Sequence, residues 1–244
     1  MIVHQNDSNL NRLSACFKLH QHPNFEIMKL YFLLVLAVLL NASGPVAQSG
    51  TDVKVPSFND KYAAFVKQLE AGQTDINYKA FRESFIESEQ FIIASGKSME
   101  YDSLENLMYE KMKIKDYQAL IIVTKQMLSI DYTSMIAHKI LRQTYGYIGD
   151  SLNAKKYKTI QFGLLNSIVK NGDGKTCATA WPVIQVKEEY FILQILGANL
   201  QKQTVDHTGG VCDKMEVKTE EGENKTYYFE ISMVFEGYKK LGLK

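Results

Sequence analysis

The chain has 244 residues, with 28 basic against 27 acidic side chains, a formal net charge of +1 and 45% hydrophobic residues. That length holds one compact domain or two small ones. An even charge balance argues against a nucleic-acid partner, which needs a basic surface, and no long charge run restores that possibility.

The first legible element is Lys29 followed by the apolar run Leu30 to Leu40 and then Asn-Ala-Ser-Gly-Pro-Val-Ala, which reads as an export signal over residues 28–47. The run is too short to cross a bilayer, so the mature chain is expected to have no membrane span. Because Met28 opens a well-formed signal, residues 1–27 read as an upstream extension from a mis-assigned start. Cleavage after Ala47 would leave Pro45 three positions back, so Ala42 is the competing cleavage point. No cysteine stands just after the run, where a bacterial lipoprotein carries its lipid.

Residues 48–56 are small and polar and read as a flexible lead-in, and residues 57–170 read as helical. A helix is expected from about Asp60 to Glu70, capped by Ser57 or Asn59, with Tyr62, Phe65, Val66 and Leu69 recurring at offsets of three and four. Ala71-Gly72-Gln73 ends it. A second helix is expected to start at Thr74 or Asp75, with Tyr78, Phe81, Phe85 and Ile86 as a buried stripe and Lys79, Arg82, Glu83 and Glu87 facing away.

From Tyr101 to about Lys170 there is an internal repeat: Leu107 and Leu141, like Asp116 and Asp150, stand 34 residues apart. The unit Met135 to Phe162 resembles a tetratricopeptide repeat in Leu141, Tyr145, the turn Gly149-Asp150 and Ala154. It departs from that pattern at Tyr132, His138 and Arg142. The resemblance implies stacked helix pairs whose face binds a protein or peptide, with Tyr109, His138, Arg142 and Tyr145 as candidate binding residues. The competing reading is a helical core that merely supports the rest of the chain.

At Asn171-Gly172-Asp173-Gly174 the pattern changes, and residues 171–244 read as an antiparallel sheet region. Strands are expected at Thr179–Val186, Glu189–Leu196, Leu200–Val205, Val211–Lys218 and Thr226–Glu236. Glu189 to Gly197 suits a helix as well. Trp181-Pro182 fits an edge strand, where the missing N–H of proline costs no ladder hydrogen bond. The whole is therefore expected to be an α+β protein, with helical hairpin repeats packed on a C-terminal antiparallel sheet.

Gly174-Lys175-Thr176 lacks the first glycine of a phosphate-binding loop, since position 169 is Val169. Asp173 has no second carboxylate at the spacing of a calcium loop, so neither cofactor nor metal is expected. Cys177 and Cys212 are the cysteines beyond the signal, and an oxidising compartment permits a bridge between them. A Cys nucleophile with His207 as base is the rival reading. Should the chain be an enzyme, a hydrolase of envelope or dietary polymers is the expected class, with Asp173, Lys175, Glu188, Glu189 and His207 as its polar groups. In a strand, Glu188 and Glu189 would point to opposite faces.

Thr74-Asp75-Ile76-Asn77-Tyr78 with Phe81-Arg82, Ala137-His138 to Gly149-Asp150, Asn171 to Thr176 with Ala178-Thr179-Ala180, Glu188-Glu189-Tyr190 and Tyr228 to Ser232 form one set of segments. Together they resemble domain of unknown function family 4919, found in exported proteins of Bacteroides-type bacteria. The likeness spans most of residues 57–238. It implies a periplasmic or secreted location in a Gram-negative bacterium, assigns no activity and carries over no catalytic residue. The expected function is a non-enzymatic interaction module with a protein or peptide partner; the hydrolase is the alternative.

Overall fold

The computed structural model describes residues 52–243. The expected signal at 28–47, the upstream residues 1–27 and the first part of the lead-in lie outside the described residues. Those described fall in a single compact unit, Ser49–Lys244. Among them, no helix is long and apolar enough to cross a membrane.

Seven helices come first: α1 Lys61–Glu70, α2 Tyr78–Glu87, α3 Glu89–Gly96, α4 Ser98–Lys113, α5 Tyr117–Ile130, α6 Met135–Tyr147 and α7 Ser151–Val169. Most begin at a side chain that accepts one of the orphan N–H groups of the first turn. Asp60 accepts from Ala63 N at 2.8 Å, Asn77 from Ala80 N at 3.0 Å, Asp116 from Ala119 N at 3.1 Å and Asp150 from Asn153 N at 3.0 Å. The caps of α1 and α2 are thus Asp60 and Asn77, where Ser57 or Asn59 and Thr74 or Asp75 had been the sequence expectation. A cap needs extended backbone with its oxygen aimed at the N–H two or three residues on, and composition alone does not choose among neighbouring candidates. At the far end of α2, the Lys240 ammonium lies 2.6–3.1 Å from the carbonyl oxygens of Ile86, Glu87 and Ser88. This places a cation where the helix dipole favours one.

Helices α4 and α5 pack as neighbours, as do α6 and α7, and α5 packs on α6. Their interior is aromatic. Tyr62 stacks on Phe81 at 5.6 Å between centroids, Phe81 meets Tyr132 at 6.3 Å, Tyr132 meets His138 at 5.0 Å, and Tyr145 stacks on Tyr157 at 5.7 Å. The Tyr62 hydroxyl accepts from Tyr132 N at 2.9 Å, which ties α1 to the turn between α5 and α6.

The C-terminal part contains β1 Trp181–Pro182, α8 Val186–Ile195, β2 Ala198–Asp206, β3 Cys212–Thr219, β4 Asn224–Glu230 and α9 Ser232–Lys240. The sheet runs β1-β4-β3-β2. β2–β3 and β3–β4 are antiparallel hairpins, while Trp181 and Pro182 pair parallel with Phe229 and Glu230, so the sheet is mixed. Met215, Val217 and Phe229 join Leu164, Ile168 and Phe191 in one continuous core, so helices and sheet bury each other's apolar faces. The α+β architecture is as expected.

Three strands expected from the sequence are corrected. Glu189–Leu196 belongs to α8, because Glu188, Glu189, Ile192 and Leu193 are buried at helical spacing. Gly197, at φ +60°, then stops the helix in a conformation glycine adopts freely. Thr179–Val186 shrinks to β1 after a 3₁₀ turn at Cys177–Thr179. Thr226–Glu236 ends as a strand at Glu230. Beyond it Gly237 seats α9 against Phe91, where an added Cβ would come within 2.9 Å of the ring.

The Asn171–Gly174 turn is a scaffold for β1. Gly172 O accepts from Trp181 Nε1 at 3.1 Å, Gly174 N donates to Thr179 O at 2.9 Å, and Gly174 O accepts from Tyr228 N at 2.9 Å. A Cβ on Gly172 would lie 2.2 Å from Thr179 O. Cys177 and Cys212 are joined as a disulfide that binds this loop to the start of β3.

Candidate functional site

Where α4, the α5–α6 turn and the first turns of α8 meet, a cleft of about 360 Å³ opens. Its floor is made by the turn Asp131-Tyr132-Thr133-Ser134. Asp131 Oδ1 accepts from Thr133 N at 2.8 Å and from Thr133 Oγ1 at 2.6 Å, an Asx turn that stops α5 and redirects the chain. Ser134 caps α6 through Ala137 N at 3.3 Å and bonds the Tyr101 hydroxyl at 2.6 Å. Gln185, the residue before α8, donates from Nε2 to Asp131 Oδ2 at 3.0 Å and to Thr133 Oγ1 at 3.1 Å.

The walls are aromatic. Tyr101 is buried, whereas Tyr109 from α4 and Tyr190 from α8 are 40% and 46% exposed beside the opening. Lys187 holds its ammonium 3.7 Å from the Tyr101 ring centre and 3.3 Å from Asp102, at the rim. Burial raises the Asp131 carboxyl, opposed by its bonds to Thr133 and Gln185 and by the charge of Lys187. Burial likewise raises the Tyr101 hydroxyl, with the Asp131 charge adding to it. The cleft therefore offers phenol rings around a floor of preoriented hydroxyl, carboxamide and carboxylate groups, which suits recognition of a mixed polar and apolar segment.

Behind the cleft, α8 is anchored by charge. Arg82 Nε and Nη2 donate to Glu188 Oε1 and Oε2 at 2.7 and 2.5 Å, Nη2 also reaches Pro182 O at 3.0 Å, and Ile184 N donates to Glu188 Oε2 at 2.8 Å. Both side chains are buried. Arg82 had been expected to face solvent with its neighbours on α2. It turns inward because Glu188, 106 positions away, compensates the charge. The next residue, Glu189, is fully buried and has no conventional hydrogen-bond donor. Burial and the adjacent Asp213 carboxylate push its carboxyl up to about 9, so it keeps a proton at neutral pH. Asp213 Oδ2 also accepts from Gln203 Nε2 at 2.7 Å, and Gln203 Oε1 accepts from the Tyr190 hydroxyl at 3.3 Å.

Of the four helix residues singled out from the repeat, Tyr109 lines the cleft. His138 is fully buried: its Nε2 faces the carbonyl of Tyr132 at 2.8 Å and so carries the proton, and burial lowers the imidazole to about 3. Tyr145 is buried against Tyr157, and Arg142 lies half-buried over the Phe162 ring at 5.7 Å. His138 and Tyr145 therefore serve packing and offer no surface to a partner. Asp173 and Lys175 pair at 3.6 Å on the loop before β1, and His207 is exposed in the β2–β3 turn. The polar groups expected to converge in the C-terminal region thus occupy three separate structural settings. Among the described residues, no cluster of three His, Cys, Asp or Glu is placed to hold a metal.

The residues missed from sequence are Tyr101, Asp131, Thr133, Gln185, Lys187 and Tyr190. The signal for the floor was there: Asp-x-Thr-Ser between two apolar helical runs combines an Asx turn with a helix cap. The chain belongs to the family described as "Domain of unknown function (DUF4919)", whose model matches residues 57–240. No curated protein and no solved structure matches it.

Proposed function

We propose that the chain is a non-enzymatic binding module of a Gram-negative envelope, exported by the signal at residues 28–47, and that it holds a peptide or protein segment in the cleft between α4, the α5–α6 turn and α8. The observation that carries this reading is the pair of exposed phenol rings, Tyr109 and Tyr190, beside a floor already fixed by Asp131, Thr133 and Gln185. Tyrosine gives large contact area at small loss of side-chain freedom, and a prefixed floor lowers the ordering cost of binding. A volume of about 360 Å³ accommodates a few side chains of a docked segment. The hydrolase reading on Asp173, Lys175, Glu188, Glu189 and His207 draws no such support. Glu188 gives both oxygens to Arg82 and Ile184 N, Glu189 is buried beside it, and the Asp173–Lys175 pair and His207 lie on two separate loops.

The test is panning of a random heptapeptide display library on the purified chain, with a Tyr109→Ala/Tyr190→Ala variant of unchanged melting temperature beside it. Enriched peptides should bind the variant at least about tenfold more weakly. Equal binding to both proteins would move the partner site elsewhere.

A further inference from the structure

A second concave surface runs along α7 and is independent of the cleft. We propose that this groove, between the start of α2 and the length of α7, binds an extended acidic segment of a partner protein. Lys155, Lys158, Phe162 and Asn166 recur at offsets of three and four on one face of α7, Lys170 at its C-cap continues the row, and all are exposed. Across the groove stand Tyr78 and Lys79 of α2.

The two walls approach closely because position 163 is glycine: a Cβ there would lie 2.3 Å from the Tyr78 ring. The space between them is about 920 Å³. From Lys155 to Lys170 the helix rises about 22 Å, the span of roughly seven residues of extended chain.

Charge selects the occupant. Lys155, Lys158 and Lys170 form no ion pair among the described residues, and Lys79 is paired only with Glu83 at 3.7 Å on its own helix. Among the described residues lining the groove, Asp75 is the one carboxylate. Four ammonium groups against one carboxylate, on a protein of even overall charge, make this a local field for a polyanion.

A peptide fits the lining better than an acidic polysaccharide, because sugars stack on bare aromatic faces. Here the Tyr78 ring packs against α7 at Gly163 and its hydroxyl donates to Thr74 O at 2.8 Å, while Phe162, exposed at its edge, has one face taken by the Arg142 guanidinium at 5.7 Å. The exposed Asn166 carboxamide can instead donate to and accept from a peptide backbone.

The test is fluorescence anisotropy of labelled heptaglutamate and heptaglutamine on the full chain, with polygalacturonate as competitor. Heptaglutamate should bind about tenfold or more tightly than heptaglutamine, and weaken as salt rises from about 50 to 200 mM. Lys155→Glu/Lys158→Glu/Lys170→Glu should abolish that preference, Lys158→Gln alone should weaken binding about threefold, and Lys202→Glu on β2 should leave it unchanged. The proposal is overturned if heptaglutamate shows no advantage, if the triple variant binds it as well as wild type, or if polygalacturonate binds in the groove and heptaglutamate does not.

Discussion

The helical layer and the α8–sheet junction bury polar groups in opposite ways. In the helices, His138 sits neutral among Tyr132 and Tyr157, with its one N–H given to a backbone carbonyl. At the junction, Arg82 and Glu188 are buried as ions and Glu189 is buried as an acid that must keep its proton. Loss of a partner costs a neutral buried group about 1–3 kcal/mol and a charged one more, because what remains is an uncompensated charge. The less forgiving arrangement stands directly behind the cleft, where it fixes the first turn of α8 and with it Gln185, Lys187 and Tyr190.

The sharpest way to break this comparison is Arg82→Met. It leaves Glu188 buried without its cation and should cost about 3–5 kcal/mol in urea unfolding, whereas Arg82→Met with Glu188→Leu should recover most of that loss. A single-variant cost below about 1 kcal/mol would mean that water reaches the pair. Reduction of the Cys177–Cys212 bridge comes next. It closes a loop of sequence separation 35, so opening it should lower stability by roughly 3–4 kcal/mol while leaving α1–α7 folded. Simultaneous loss of helix signal on mild reduction would show that the helices depend on the bridge.

Acid and base dependence separates the two regions more finely. Glu189 is raised in the folded state from 4.5 to about 9, so the folded chain binds the extra proton between those values. Its contribution is full below about pH 4.5 and is lost as pH rises toward 9, by up to about 1.4 kcal/mol per unit. His138 is lowered from 6.5 to about 3, so the unfolded chain binds the extra proton there and stability is lost as pH falls below 6.5. From pH 4.5 to 6.5 the two slopes oppose each other, which predicts a plateau with decline on both sides. Glu189→Gln should flatten the alkaline side and leave stability rising from pH 4.5 to 6.5, and His138→Phe should flatten the acid side and leave stability falling over that range, measured by urea midpoints across pH 4–9. A variant that flattens the wrong side contradicts the assignment. The smallest effect is expected for Lys187→Ala, which removes a half-exposed cation from the Tyr101 ring and should cost about 0.5–1 kcal/mol.

Much of the helical layer was legible because its signals are local. Tyr62, Val66 and Leu69, or Phe81, Phe85 and Ile86, announce a buried face within a few residues. Strands β2 and β3 were legible from their flanking turns. α8 was not, since Tyr190, Phe191, Leu193 and Ile195 suit either period, and burial of two glutamates on its inner face leaves no polar stripe to reveal the helix. α9 was missed for a related reason, because the alternation of β4 runs on in composition past Glu230. Arg82 was placed outward because the carboxylates near it in sequence, Glu83 and Glu87, lie toward the exposed face of α2; its buried partner comes from a segment 106 positions later. The cleft has the same origin, drawing on α4, the α5–α6 turn and α8, so each contributor looks ordinary on its own. Tyr109 was reachable from the repeat, while Asp131 and Gln185 meet only through tertiary packing.

The central claim, that this cleft is where a peptide segment docks, is tested most directly by amide hydrogen exchange of the full chain with and without a saturating peptide from the display selection. Protection confined to Tyr101–Tyr109, Asp131–Ser134 and Gln185–Tyr190, with α7 unchanged, is the predicted result. Protection elsewhere, with those three segments unaffected, would contradict it.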